Sequence, residues 1–370
     1  MIMRFYLVGG AVRDLLLGRD LTDRDYLVTD CTRDEFLRAF PEAQEVGQAF
    51  PVFWLFRTEF SFPRAHSLTE ELRSRDLTVN AQLLDDDGNL LCHPQGLEDL
   101  RNRILRPASD HSFRDDPLRV FRAARFFAQL PDFTPHDELK NAMTRVSDTG
   151  LLSSLPADRV GSEVRKALNA PSPGNFLRLL NETNCLSPWF GELEKAAEMA
   201  AGPPAHHDSD VLEHTCRIMD SLAGNELRVW MGLCHDLGKT LTPKNKLPRH
   251  HGHDHAGIRL AEELTIRLRL PNNLKVAGMK AAKWHMVAAR YDELRPGTRV
   301  DLLMDTHLSG TLAPLFRLVR ADHGLDFEGS AAADLASILQ VRLNPEDRNR
   351  GRESGQVLRR LRAEALTRKG

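Results

Sequence analysis

The stretch LVGGAVRDLLLGRDLTDRDYLV, residues 7–28, decides how this chain begins. The run from Arg4 to Val8 reads as a strand. Gly9-Gly10 then turns into a helix that carries Val12, Leu15 and Leu16 inward and stops at Gly18. Paired glycines let a backbone turn approach a triphosphate closely, and the helix start that follows offers free N–H donors. Arg13, one turn in, carries a planar fork that reaches phosphate oxygens. Asp23 and Asp25 stand two residues apart on the next strand, so both carboxylates point to one face. Convergent carboxylates are costly unless a cation neutralises them, and Mg²⁺ takes oxygen ligands. Two such ions between carboxylates and a triphosphate support in-line attack by a hydroxyl. A glycine turn alone is a tight turn, and a bare Asp-x-Asp is a solvated loop. Their succession carries the reading.

Outward from this segment, Tyr26–Val28, Pro51–Phe56 and Leu77–Leu84 read as further strands. From Asp116 to about Glu198 the pattern is helical, and Ala201–Pro204 reads as a boundary. A histidine-rich helical region follows to Asp326. An arginine-rich tail then closes on a short amphipathic helix. The expected fold is α+β: a small mixed-sheet head over 1–107, an all-α neck or body over 108–200, a second all-α domain over 205–326 and a basic helical tail over 327–370. No internal repeat is present.

The chain has 370 residues, more than one typical core holds, and its 41% hydrophobic and 28% charged composition is that of a globular protein. A net charge of -2 gives no global basic excess, so any nucleic-acid contact must come from local patches. Cys31, Cys92, Cys185, Cys216 and Cys234 show no CxxC spacing and read as reduced thiols. No leader-like segment and no run of about 18 apolar residues occur, so a cytoplasmic location without membrane contact is expected.

Residues 7–28 resemble the opening motif of the class II tRNA nucleotidyltransferases and bacterial poly(A) polymerases. More motifs of that family follow in order. Arg75–Ala81 resembles the segment whose arginine and aspartate, here Arg75 and Asp76, contact the nucleotide's phosphate and ribose; Ser74 stands where a further arginine is usual. Gly96–Leu100 with Arg103 and Arg106 resembles the hinge, with His93 in place of its acidic residue. Asp115–Arg122 is similar to the amino-acid template. Physically, Asp116 caps a helix that opens with Pro117, and Asp116, Arg119 and Arg122 fall close to one face. A carboxylate acceptor beside a guanidinium donor pairs with a base's Watson–Crick edge, though the same spacing also makes a surface ion-pair face. Glu59 matches a position that in the family completes the metal site; an exposed strand glutamate is an equally easy reading. The resemblance implies a nucleotidyltransferase with Mg²⁺ in its head, taking CTP and ATP and acting on the tRNA acceptor end without a nucleic-acid template. Between Glu59 and Arg75 the chain lacks the longer glycine-rich loop of complete CCA-adding relatives. Addition of CC only, with a separate A-adding partner, therefore stands beside complete CCA addition.

Eight of the fifteen histidines lie between His206 and His255, which singles out that region. His214, the adjacent pair His235-Asp236 and the cluster holding His250 and His251 resemble the HD superfamily of metal-dependent phosphohydrolases. Imidazole with carboxylate suits a divalent transition metal such as Ni²⁺, Co²⁺ or Mn²⁺. His285 follows as a further candidate ligand, and Asp322 or Asp305 closes the set. In relatives this domain hydrolyses 2′,3′-cyclic phosphates and phosphomonoesters, which suits 3′-end repair. A metal-dependent phosphohydrolase whose head only binds nucleotide is the competing reading. Arg159, Arg165 and Lys166 are candidate RNA contacts on the neck. The tail's Arg348, Arg350, Arg352, Arg359, Arg360 and Arg362 make either a second basic patch or a solvated helix. A monomer or a homodimer fits equally.

Overall fold

The computed structural model describes residues 3–21, 24–46, 52–203 and 209–367. Two compact units divide the chain, Met1–Leu155 and Pro156–Gly370.

The first unit is built on a mixed sheet, seven-stranded among the described residues, in the order β3-β4-β5-β2-β1-β6-β7. The elements run β1 (Arg4–Val8), α1 (Gly10–Leu16), β2 (Asp25–Thr29), α2 (Arg33–Ala39), β3 (Gln44–Val46), β4 (Val52–Leu55), β5 (Thr58–Ser61), α3 (Leu68–Arg73), β6 (Gln82–Asp85) and β7 (Leu90–Cys92). Helices α4 (Gly96–Asn102), α5 (Ser112–Asp115), α6 (Arg119–Gln129) and α7 (Asp137–Asp148) follow. β2 and β5 pair in parallel, and the other neighbours are antiparallel.

Strand alternation sorts the side chains onto two faces. Leu7 packs with Ala11 and Val12 of α1, and Val28 and Phe53 pack with Phe36 of α2, so these two helices cover one face. On the other face Tyr6, Val8, Leu27 and Leu83 meet Leu72 of α3 and Ala108. That cover does not include Asp25, which is exposed, or Glu59, which is half-buried. The open patch of sheet is where the carboxylates stand.

The expected strand Leu77–Leu84 is shorter in the structure. Thr78–Asn80 form a 3₁₀ turn, and β6 starts at Gln82. The reason is local: Thr78 Oγ1 donates to Asp99 at 2.7 Å and Asn80 Nδ2 to Asp76 at 3.1 Å, offering the chain partners other than the ladder. Strands β3 (Gln44–Val46), β5 (Thr58–Ser61) and β7 (Leu90–Cys92) were not read from the sequence.

The second unit is helical: α8 (Ala157–Leu168), α9 (Gly174–Glu182), α10 (Val211–Ser221), α11 (Glu226–Cys234), α12 (His253–Arg267), α13 (Asn272–Ala288), α14 (Pro296–Leu308), α15 (Leu312–His323), α16 (Glu328–Gln340) and α17 (Arg352–Thr367). Helices α8 and α9, assigned to the neck by sequence, fall within this unit, which begins after Leu155. Arg178 of α9 binds Glu213 and Asp220 of α10, and a Cβ on Gly161 of α8 would meet Leu268 O at 2.0 Å. That approach is too close for any side chain. In the tail, α17 lies against α14, where Arg359 donates to both oxygens of Asp301 at 2.6 Å. Arg350 pairs with Asp347 and Glu353, and Arg360 with Glu364. Much of the expected basic patch is therefore internally paired. No helix among the described residues is long and apolar enough to cross a membrane.

Candidate active sites

In the first unit, register places Asp25 of β2 directly beside Glu59 of β5. Residues in register across a ladder share a face, so these two expected acids do converge. Asp23 lies outside the described residues. Gly9 links β1 to α1 at φ 66°, a backbone conformation that side chains other than glycine's rarely adopt.

The residues expected to touch nucleotide form one network. Arg13 is buried; its guanidinium donates to Asp14 and, at 2.8 Å, to Asn80 Oδ1. Asn80 donates to Asp76, whose other oxygen accepts from Arg122 Nε and Nη2 at 2.9 and 2.6 Å. Burial raises the Asp76 carboxyl, but Arg122 and Asn80 outweigh it and hold the group well below the usual carboxylate range. Arg119 donates to the carbonyls of Arg75 and Ser112, each at 3.1 Å, so its fork is aimed by the backbone. Arg75 pairs with Glu71 at 3.3 Å. Asp116 is extended, and its carboxylate accepts from Leu118 N at 3.3 Å, ahead of the regular helix α6. The capping role read from sequence is not met: α6 starts at Arg119 with Leu118 at its N-cap, and Asp116, which ends α5, only turns the chain toward it. Asn80 is the member the sequence reading did not assign, although it stands in the quoted motif.

In the second unit, the histidine centre is buried and more fully assembled. His214 comes from α10, His235 and Asp236 from the end of α11, His253 from the first turn of α12, His285 from α13 and Asp322 from α15. Asp236 lies at the middle. Its Oδ2 is 3.4 Å from His214 Nε2 and 3.2 Å from His235 Nε2, and its Oδ1 is 3.2 Å from His253 Nε2 and 3.5 Å from His285 Nε2. Asp322 Oδ1 lies 3.2 Å from His214 Nε2 and Oδ2 3.9 Å from His235 Nε2.

The ring orientations are set from behind. His235 Nδ1 faces Gly232 O at 2.7 Å, His253 Nδ1 faces His250 O at 2.6 Å and His285 Nδ1 faces Ala281 O at 2.9 Å. A carbonyl only accepts, so each Nδ1 carries a proton and each ring turns its Nε2 inward. His253 and His285 then bring their Nε2 atoms to 3.2 Å, and His214 and His235 theirs to 3.4 Å. Imidazole nitrogens this close are held together by a shared proton or by a cation between them. The donor chemistry fits a divalent transition metal. Two groups of ligand atoms meet this requirement, His214 with His235 and Asp236, and Asp236 with His253 and His285. Lys239 Nζ adds a 2.6 Å contact to Asp236 and a bond to Ala201 O. Burial disfavours the His214 cation, yet the carboxylates of Asp236 and Asp322 push its pKa up to about 9.

Two sequence expectations are corrected here. His250 is not in the centre: its Nδ1 meets Thr242 Oγ1 and its Nε2 meets Ala200 O, both at 2.8 Å, which uses both ring nitrogens. His251 is exposed on the turn before α12. His253 takes the place expected of them. The choice between aspartates also resolves. Asp305 accepts from Lys280, Trp284 and Lys283, which hold it at about 2 against the opposing effect of burial, so Asp322 is the carboxylate that faces the histidines.

Among the RNA candidates, Arg165 is paired with Glu226 and Lys166 with Glu163, in exposed positions, and Arg159 lies on the same helix.

Comparison with known proteins matches three separate segments of the chain. Residues 5–59 match the poly A polymerase head domain, 132–197 the family described as "Probable RNA and SrmB- binding site of polymerase A", and 205–300 the HD domain. Among solved structures, the Bacillus stearothermophilus CCA-adding enzyme in complex with CTP is 25% identical, with a TM-score of 0.63 over 90% of this chain and 77% of that one. A CCA-adding enzyme in complex with ATP matches at 19% identity and TM-score 0.65, covering 98% of this chain and 86% of that one. A structure of a tRNA-processing enzyme matches at 20% identity and TM-score 0.61, covering 98% and 96%. In chain order, then, this protein carries segments similar to a poly A polymerase head domain, to the region described for polymerase A as a probable RNA and SrmB-binding site, and to an HD domain.

Proposed function

We propose that this protein is a tRNA nucleotidyltransferase whose head transfers CMP from CTP to the tRNA 3′ end. The observation that carries this reading is the register pair Asp25–Glu59 on the one open patch of sheet beside the glycine turn. With Asp23, these acids offer the oxygen ligands that Mg²⁺ requires, and the ions would supply charge neutralisation for an in-line displacement. In that displacement the RNA 3′-oxygen bonds to the α-phosphorus while the bond to pyrophosphate breaks. Arg75 and the Gly9–Gly10 turn supply phosphate contacts. Asp116 accepts and Arg119 donates toward the base edge, and the Asp76–Arg122 pair braces the helix that carries Arg119 and follows Asp116.

A second observation bears on the product. Only Phe62–Ser67 separate β5 from α3, and Leu72 of α3 is in the core. Such a short, anchored connection gives little room to reshape the site for a purine, which favours stopping after two cytidines.

We further read the HD centre as a phosphohydrolase site for clearing blocked 3′ ends. Two transition-metal positions there share Asp236, one completed by His214, His235 and Asp322, the other by His253 and His285. Arg159, Arg165 and Lys166 would exchange carboxylate partners for the RNA backbone.

The test is incubation with Mg²⁺ and tRNA lacking CCA, with CTP alone or with CTP and ATP, followed by sequencing of the 3′ ends. Ends at CC with both nucleotides present establish the CC-adding reading, and complete CCA ends establish purine acceptance. No extension overturns the proposal and leaves the HD centre as the only activity.

A further inference from the structure

The open face of the sheet continues past the carboxylates. Glu59 of β5 is in register with Asp25 on one side and with Trp54 of β4 on the other, so the three side chains form one row on one face. Trp54 is 43% exposed, whereas Trp189, Trp230 and Trp284 are 7%, 0% and 8% exposed. The one accessible indole thus sits beside the acids. In the next row Val52 and Val46 are paired, and Val46 is also exposed. The hairpin that ends β4 turns through Phe56 and Arg57, both at positive φ, with Phe56 84% exposed. Two side chains that rarely adopt this conformation hold it here, and an aromatic ring and a cation are presented to solvent.

Sheet order says which substrate this surface serves. Arg13, Asp76, Arg119 and Arg122 gather around the segment that enters β6, and β6 lies beyond β1 on the far side of β2 from β4. The carboxylates therefore stand between the nucleotide contacts and Trp54. In-line transfer requires the attacking and leaving groups on opposite sides of the phosphorus.

We propose that Trp54 is the stacking platform for the last unpaired base of the RNA that is extended. This rests on the nucleotidyl-transfer reading above. Neighbouring strands lie about 4.8 Å apart, so the indole stands about 5 Å from the strand of Glu59 and about 10 Å from that of Asp25. A base stacked on it sets its ribose over Glu59 and its 3′-hydroxyl toward Asp25, a span that one nucleotide covers. Stacking accepts any base, because every base has a π-face. A growing end needs that tolerance, since its last base changes with each addition. Arg57 at the hairpin tip is placed for the backbone phosphate of the same strand.

The test uses the full chain and tRNA ending before its CCA. Binding of this RNA without nucleotide should quench tryptophan emission in the wild type, and Trp54→Phe should lose the quench. In steady-state extension, Trp54→Ala should raise KM for the tRNA about tenfold, leave KM for CTP within about twofold, and be largely rescued by Trp54→Phe. An unchanged KM for tRNA overturns the proposal. So does a rise confined to CTP, which would put the incoming base on the indole. If Trp54→Ala fails to fold, the quench and its loss in Trp54→Phe decide the matter. If the wild type extends no RNA, the transfer reading fails by itself, and quenching still decides whether Trp54 stacks on RNA.

Discussion

Asp25 and Glu59 sit exposed and half-buried at the rim of an open sheet face, whereas Asp236 is buried among four histidines and the half-buried Asp322 faces two of them. In the HD centre, backbone carbonyls orient three of the rings, so the ligand set stands ready before any ion arrives. In the head, Arg13, Arg122 and Asp76 are held in hydrogen bonds, while Asp25 and Glu59 stand on the open sheet face. The difference follows from what each centre must admit. A metal held mainly by protein needs a preset group of donors, with a position left for water and the phosphoester. A metal that also binds a triphosphate and a hydroxyl needs open positions, which the substrates fill.

The largest expected effect tests the independence of the two centres. Asp25→Ala should lower kcat for CMP transfer on the order of 10³-fold while leaving metal content and phosphoester hydrolysis by the HD domain unchanged. Loss of both activities together would mean the two centres are not separable.

Next comes the pre-set character of the HD centre. A Cβ on Gly238 would meet His253 O at 1.9 Å, so Gly238→Ala must push the start of α12 away and His253 with it. It should destabilise the fold by about 2 kcal/mol and release bound metal. His253→Ala should likewise release metal, measured by elemental analysis after purification, whereas His250→Ala should retain it. Equal metal loss in both histidine variants would break the assignment.

The smallest effect concerns the locked frame of the head. The Asp76 carboxyl is lowered below its ordinary pKa, so its contribution to stability is full above about pH 4 and is lost as pH falls further. The urea midpoint of Asp76→Asn should therefore fall less than that of the wild type between pH 5 and pH 3. Parallel loss in the two proteins would remove Asp76 from the frame.

Much of this was legible in residue order. The strand Arg4–Val8, the turn at Gly9 and the helix ending near Gly18 follow from apolar period and from glycine's permissiveness, which act within a few residues. His235-Asp236 was legible as an adjacent pair of ligand types. His253 was not, because four histidines between His250 and His255 offer the same chemistry. Only the start of α12 after Gly252, at φ 77°, selects which ring turns inward. A helix breaker at Gly252 was the available signal. The strand expected over Leu77–Leu84 lost its first half because the partners of Thr78 and Asn80, Asp99 and Arg13, lie far away in sequence.

The sequence by itself determined which chemistries are present and in what order: a glycine turn with spaced acids, an arginine-bearing helix start, then imidazoles with carboxylates. Those are short-range properties of residue type and spacing. Tertiary structure decided which copies of each residue meet. Register across β2, β5 and β4 put Glu59 between Asp25 and Trp54, and helix packing chose Asp322 over Asp305 and His253 over His250. Chain spacing cannot choose among equivalent side chains. Packing does, because a buried donor or acceptor must find its partner.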